Sequence, residues 1–291
     1  MNYTPIPIRP DRHIGLLFNA RTGSTVLRNY FKQVLKFVDL AEMFNHYVKR
    51  VKIDFSGEPQ FVFDFTDTRS YDDQETNIQI SLDCLKNLTE LTRRKKFSVF
   101  GVLFESWYCA FPELTEMLSA RDDIQFIDLR RGDVLYGLLS TQVSLLSEQF
   151  HNDFNIGQKV VAKKRNVEPF EFSLDDLETG LWKYRNHCEI VAKHFPNTPV
   201  LYYEQFQRTP ANLMNLFSGI PKRICSVNVT KFEGNYKDLV TNLDEVEDFY
   251  ANFVCENPEC FPQYFGYVPY IEIPKSQGWQ PTFESKLLVN G

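Results

Sequence analysis

A short apolar run, His13-Ile-Gly-Leu-Leu-Phe18, passes through Asn19 to Thr25 into a helical stretch from about 26 to 38. A strand with no polar alternation is buried on both faces, as happens in parallel sheets covered by helices on each side. In the helical stretch, Leu27, Tyr30, Phe31, Val34, Leu35 and Val38 mark one apolar face. The rest of the chain keeps this alternation. Strands are predicted over 61–65, 97–104, 124–129 and 199–203. Helices are predicted over 78–91, 112–120, 134–149, 174–195 and 210–217, with Pro112 in a first turn and Ser173 as an N-cap. The expected fold class is α/β, three layers around a mostly parallel central sheet.

The 291 residues suit one α/β domain with insertions, and no repeat or Gly/Ser-rich linker divides them. One domain over 1–291 is therefore expected, with an irregular insertion or lid at 150–172. That segment holds Phe150, His151, Phe154, Lys163, Lys164 and Arg165, which suit either a cover over a site or a surface loop. A formal net charge of −6 argues against a general nucleic-acid binder, so no nucleic-acid partner is expected. The basic runs Arg93-Arg94-Lys95-Lys96 and Lys163-Lys164-Arg165 read as solvated faces or helix ends. The six cysteines include no pair of Cys or His couples at zinc spacing, so reduced thiols and no metal are expected. Residues 1–10 lack an apolar run long enough for a signal peptide or anchor. The chain is read as cytoplasmic, with no membrane insertion.

The junction after the first strand carries the chemistry. In a parallel sheet, ligands bind at the carboxyl ends of strands, where helix N-termini point. Gly23 lets the backbone approach an anion, and the N–H groups opening the next helix favour negative charge. Ser24 and Thr25 add hydroxyl donors, and Arg21 adds a fixed cation of fork geometry. Gly-Ser-Thr also suits a plain helix cap. A nucleotide-triphosphate loop needs Gly-x-x-x-x-Gly-Lys-Ser/Thr, and here Ser24 follows Gly23 directly, with no lysine. A kinase is thereby disfavoured.

Asn19-Ala-Arg-Thr-Gly-Ser-Thr-Val-Leu27 resembles the 5′-phosphosulfate loop of sulfotransferases that use PAPS (3′-phosphoadenosine 5′-phosphosulfate). It departs from the usual form at Ala20, where Pro is common, and at Thr22, where Ser is common. The resemblance implies a three-layer P-loop-like fold in which Arg21, Thr22, Gly23, Ser24 and Thr25 hold the 5′ end of PAPS. The family binds the 3′-phosphate with an arginine off a later strand and a helical serine. Ile124-Gln-Phe-Ile-Asp-Leu-Arg-Arg-Gly-Asp-Val-Leu-Tyr-Gly-Leu-Leu-Ser140 has that order, which implies the same role for Arg130 or Arg131 and for Ser140. Arg130 is the first residue off the strand, whereas Arg131 suits the family's interval to the serine, so both are kept. Pairing with Asp122, Asp123 or Asp128 is the other use for these arginines.

Val200-Leu-Tyr-Tyr-Glu-Gln-Phe-Gln-Arg-Thr-Pro-Ala-Asn-Leu213 and Leu216-Phe-Ser-Gly-Ile-Pro221 resemble later segments of the family. The stretch from Lys231 resembles a tail of its carbohydrate-type bacterial members. The Arg-Lys-Gly loop of the cytosolic small-molecule branch is absent. The resemblance implies sulfuryl transfer to a hydroxyl, on a carbohydrate or glycan acceptor. The rival reading is a PAPS-binding protein without turnover.

Such transfer needs a cation at the leaving group, the role implied for Arg21, and a general base. Glu42, in Asp39-Leu-Ala-Glu-Met-Phe44, stands where trehalose-type and other bacterial sulfotransferases carry a catalytic Glu; His46 is the rival base. His13, His151, His187 and His194 read as structural. Trp107 and Tyr108 suit either stacking or core packing. The oligomeric state is not legible in these residues.

Overall fold

The computed structural model describes residues 4–40, 42, 44, 50–53, 61–64, 74–103, 113–146, 167–206, 210–222 and 238–264. By their contacts, residues group into two compact units, Met1–Arg131 with His187–Val229 and Gly132–Asn186 with Thr230–Gly291. Each unit combines two separate stretches of chain, so no shift in composition marks the division.

The first unit holds the α/β architecture. Its strands are β1 (Ile6–Pro7), β2 (His13–Phe18), β3 (Val38–Asp39), β4 (Arg50–Ile53), β5 (Phe61–Asp64), β6 (Ser98–Leu103), β7 (Ile124–Arg130), β8 (Val200–Tyr202) and β9 (Phe217–Ser218). Five of them form an all-parallel sheet in the order β3-β6-β2-β7-β8, as the unalternating apolar run of β2 requires. The helices in the first stretch of this unit are α1 (Ser24–Leu35), α2 (Gln74–Arg93) and α3 (Glu113–Ser119). Later in the chain, α4 (Val134–Leu146) and α5 (Leu174–His194) precede α6 (Pro210–Leu216) and α7 (Leu243–Glu256).

Strand side chains alternate between two cores. Ile14, Leu16 and Phe18 pack with Leu27, Tyr30, Phe31 and Val34 of α1 and with Leu213 of α6. Leu17, Phe100 and Phe126 pack on the other face with Leu85 and Leu88 of α2, Leu114 of α3 and Val191 of α5. Two apolar layers on one sheet give the three-layer α/β fold expected from the sequence.

Two predicted elements change identity. The first helix ends at Leu35, before the Val38 suggested by its apolar face. Lys36 takes a left-handed conformation (φ 59°) that turns the chain, and β-branched Val38 then pairs with Ser98 in β3. The 61–65 strand forms as β5, but it pairs antiparallel with β4 rather than joining the central sheet. The pair β1–β9, the strand β4 and the helix α7 have no counterpart among the predicted elements.

The second unit packs α4, α7 and the portion of α5 up to Asn186 around an aromatic core. Phe261 stacks on Tyr184 at 5.3 Å and meets Tyr250 and Phe253 edge-on. Of the 150–172 segment, 150–166 lies outside the described residues, as do Trp107, Tyr108 and His46. The remaining part is anchored: Phe170 bridges to Val240, and the Phe172 N–H donates to Asn242 Oδ1. Ser173 caps α5 as expected, accepting the Asp176 N–H at 3.3 Å. Among the described residues, no helix is long and apolar enough to cross a membrane. Cys84, Cys188, Cys255 and Cys260 are outside any disulfide.

His13 opens β2 as a buried structural residue. Its Nδ1 accepts the Ser98 N–H at 3.1 Å, which leaves the ring proton on Nε2, beside Leu88 O (3.2 Å) and Thr92 Oγ1 (2.8 Å). Protonating Nδ1 would cost that accepted bond in a dry site, and burial lowers the pKa from 6.5 to about 4. Between these values the unfolded chain binds more protons, so stability rises with pH there. Acidification from pH 6.5 to 4 should remove roughly 3 kcal/mol through this group. Chemical denaturation across that window should show the loss, and His13→Gln should flatten the slope.

Candidate functional site

The register of the sheet brings the predicted residues together. Phe18 of β2 pairs with Leu129 of β7, so the loop after Phe18 and the pair Arg130-Arg131 leave neighbouring strands at one edge. This is the carboxyl edge, where parallel sheets bind ligands.

The β2–α1 loop has an uncommon backbone. Arg21 adopts a left-handed φ of 65°, and Gly23 adopts 82°. Gly23 is also hemmed in: a Cβ there would stand 2.7 Å from the Tyr203 ring and 2.9 Å from that of Phe206. The Thr22 hydroxyl donates to Asn19 O at 2.9 Å, tying the loop to itself, and the side chain is buried. Ser24 is buried and Thr25 exposed in the first turn of α1.

The start of α1 is electrostatically distinct. No side chain caps it, and its first turn holds no acidic residue. By contrast, α3, α5 and α7 carry Glu113, Asp175 and Asp244 in their first turns, and Asp133 Oδ1 accepts the Tyr136 N–H ahead of α4. Helix N-termini collect positive partial charge, which those carboxylates offset and no first-turn carboxylate offsets at α1.

Arg131 braces this loop. Its Nη1 donates to Arg21 O at 2.9 Å, its guanidinium lies 4.9 Å from the Tyr203 ring centroid, and Glu204 is 3.9 Å away. Tyr203 thus touches both Arg131 and the space above Gly23. Arg130 donates from Nε to Asp128 at 2.7 Å, and His187 meets the other oxygen of the same carboxylate at 2.7 Å. Burial alone would raise the Asp128 pKa; Arg130 and His187 outweigh it and hold the carboxyl below its usual range. The pairing with Asp128 weighed from the sequence therefore applies to Arg130, while Asp123 pairs with Arg121. Ser140 is buried on α4 in the second unit.

Glu42 reaches the same edge by another route. After β3, the Leu40 N–H continues the pairing by donating to Val99 O at 2.9 Å. Two residues on, the Glu42 stem lies against β6: a Cβ on Gly101 would come 3.1 Å from Glu42 Cγ and 2.7 Å from the Phe18 ring. The bare backbone at Gly101 makes that approach possible. Nearby, Asp39 is 3.6 Å from the buried Arg28 guanidinium.

Comparison with known proteins found no match. No family model, curated protein or solved structure corresponds to this chain.

Sequence reasoning missed the contacts of Tyr203 and Phe206 with the loop, of Glu204 with Arg131, and of His187 with Asp128. The Tyr-Tyr-Glu run after the last strand was the available signal; its position against Gly23 comes from the chain folding back. Gly23→Ala should cost roughly 1–3 kcal/mol, from the left-handed φ and the crowding by Tyr203. Urea unfolding of the variant beside the wild type measures that loss.

Proposed function

We propose that this chain is a sulfotransferase that transfers a sulfuryl group from PAPS to an acceptor hydroxyl, on a carbohydrate or glycan. The reading rests on one observation: the uncapped, carboxylate-free start of α1 and the Arg130-Arg131 pair share one edge of a parallel sheet. A donor with phosphates at both ends of a nucleoside matches two cationic positions of this kind.

The residues fit such a donor. Gly23 keeps the cradle free of a Cβ, while the first N–H groups of α1 and the Ser24 and Thr25 hydroxyls provide donors for the 5′ end. Thr22 contributes chiefly as the tether to Asn19, because its hydroxyl proton is already donated. The 3′-phosphate belongs with the Arg130-Arg131 end of β7. Bound PAPS supplies the activated sulfuryl group.

Arg21 stabilises negative charge at the 5′ end and, as a guanidinium, carries no proton to or from it. Glu42 takes the proton of the acceptor hydroxyl at a carboxylate oxygen, its stem held against Gly101. A cytoplasmic protein with reduced thiols completes the reading.

Calorimetry with adenosine 3′,5′-bisphosphate, beside ATP, tests the donor. Binding of the bisphosphate in preference to ATP is expected; ATP alone binding overturns the proposal. Arg21→Ala should abolish bisphosphate binding or turnover. Glu42→Gln should leave binding intact and lower sulfate transfer by about two orders of magnitude or more. Unchanged turnover in Glu42→Gln removes that residue from the mechanism.

A further inference from the structure

The second unit has a cavity of its own. A groove of about 530 Å³ runs along α5 and α7, within the size range of small-molecule sites. One wall is Trp182, a large ring that keeps 47% of its surface exposed. Core packing does not account for an indole left this open.

Its orientation is nevertheless fixed. Trp182 Nε1 donates to Glu178 Oε1 at 3.3 Å, Phe253 meets the ring edge-on at 5.4 Å, and the Arg185 guanidinium lies 4.9 Å from its centroid. Arg185 is held in turn: its Nη1 donates to Asn257 Oδ1 at 2.7 Å, and the buried Asn257 amide donates to Phe253 O at 2.8 Å. A side chain restrained before binding loses little freedom on binding. The groove is completed by a further ring, Phe249, and by the polar side chains of Asn252 and Glu256.

The lining selects among ligand classes. A wholly apolar ligand would take the polar groups of Glu178, Glu256, Arg185 and Asn252 out of water and offer them no hydrogen bond in exchange, which is costly. An anion would face two carboxylates. A cation would be opposed by Arg185, which already uses the indole as its cation–π partner. A sugar ring meets every requirement: its C–H face covers the indole, and its hydroxyls exchange hydrogen bonds with carboxylates, amide and guanidinium.

We propose that this groove binds a neutral saccharide unit of a glycan, with Trp182 as the stacking platform. The inference concerns residues outside the donor site and holds whether or not the sulfotransferase reading does.

The experiment applies the full-length protein to an array of neutral, uronate and sulfated glycans. The best neutral hit is then titrated by isothermal titration calorimetry. Binding of neutral glycans is expected, with Trp182→Ala and Asn252→Ala each weakening it about tenfold or more. Both side chains are exposed, and circular dichroism checks that the variants keep the fold. Binding of adenosine 3′,5′-bisphosphate should be the same in both variants and the wild type. Absence of any neutral-glycan binding, tighter binding of sulfated glycans, or affinities unchanged in both variants would overturn the proposal. Intact bisphosphate binding alongside such a result rejects the groove alone; lost bisphosphate binding with glycan binding retained rejects the donor reading alone.

Discussion

Strand β2 is hydrogen-bonded in parallel along both edges, to β6 on one side and β7 on the other. Parallel neighbours need crossover connections, and these cover both faces of the sheet with helices. The strand must therefore be apolar on both sides, as His13 to Phe18 is, with even its one imidazole kept uncharged. The same pairing puts the carboxyl ends of β2, β6 and β7 level with one another. The loop carrying Arg21, the pair Arg130-Arg131 and the stem of Glu42 against Gly101 share an edge because their strands share a register.

At that edge, α1 opens with its helix polarity unbalanced by a carboxylate. Helices α3, α5 and α7 carry acidic residues in their first turns and Asp133 accepts an N–H ahead of α4, whereas α1 begins with a left-handed glycine and no acidic residue. A non-glycine residue at φ 65°, such as Arg21, costs of order 1–3 kcal/mol, which its surroundings must offset. Here the surroundings do: Arg131 holds the Arg21 carbonyl, Tyr203 packs on Arg131, and Thr22 ties back to Asn19. An arginine off β7 thus serves the loop off β2 as a brace.

Much of this was legible in the sequence. The central strands and helices follow from apolar runs and periodicity, and Ser173 was identifiable as a cap from its side chain alone. What escaped were elements whose stability comes from a partner distant in sequence. Val38 looks helical by spacing, yet it is a strand residue because Ser98 offers it a ladder. Phe61–Asp64 looks like a sheet strand, yet its partner is Arg50–Ile53. Apolar periodicity records which face is buried; it carries no information about what covers it.

The candidate site divides along the same line. Local sequence determined the chemistry on offer: a glycine-bearing loop between a buried strand and a helix, two arginines leaving another strand, and a carboxylate after the first helix. Those properties depend on residue type and short-range order. Tertiary structure alone decided how the groups are used. It committed Arg130 to the buried Asp128–His187 pair, turned Arg131 into the support of Arg21, and laid Glu42 against Gly101. It also left Trp182 open in a groove of mixed aromatic and polar side chains. The physical reason is that each arrangement depends on groups that meet only when strands pair or helices pack, and the chain brings them together from positions far apart.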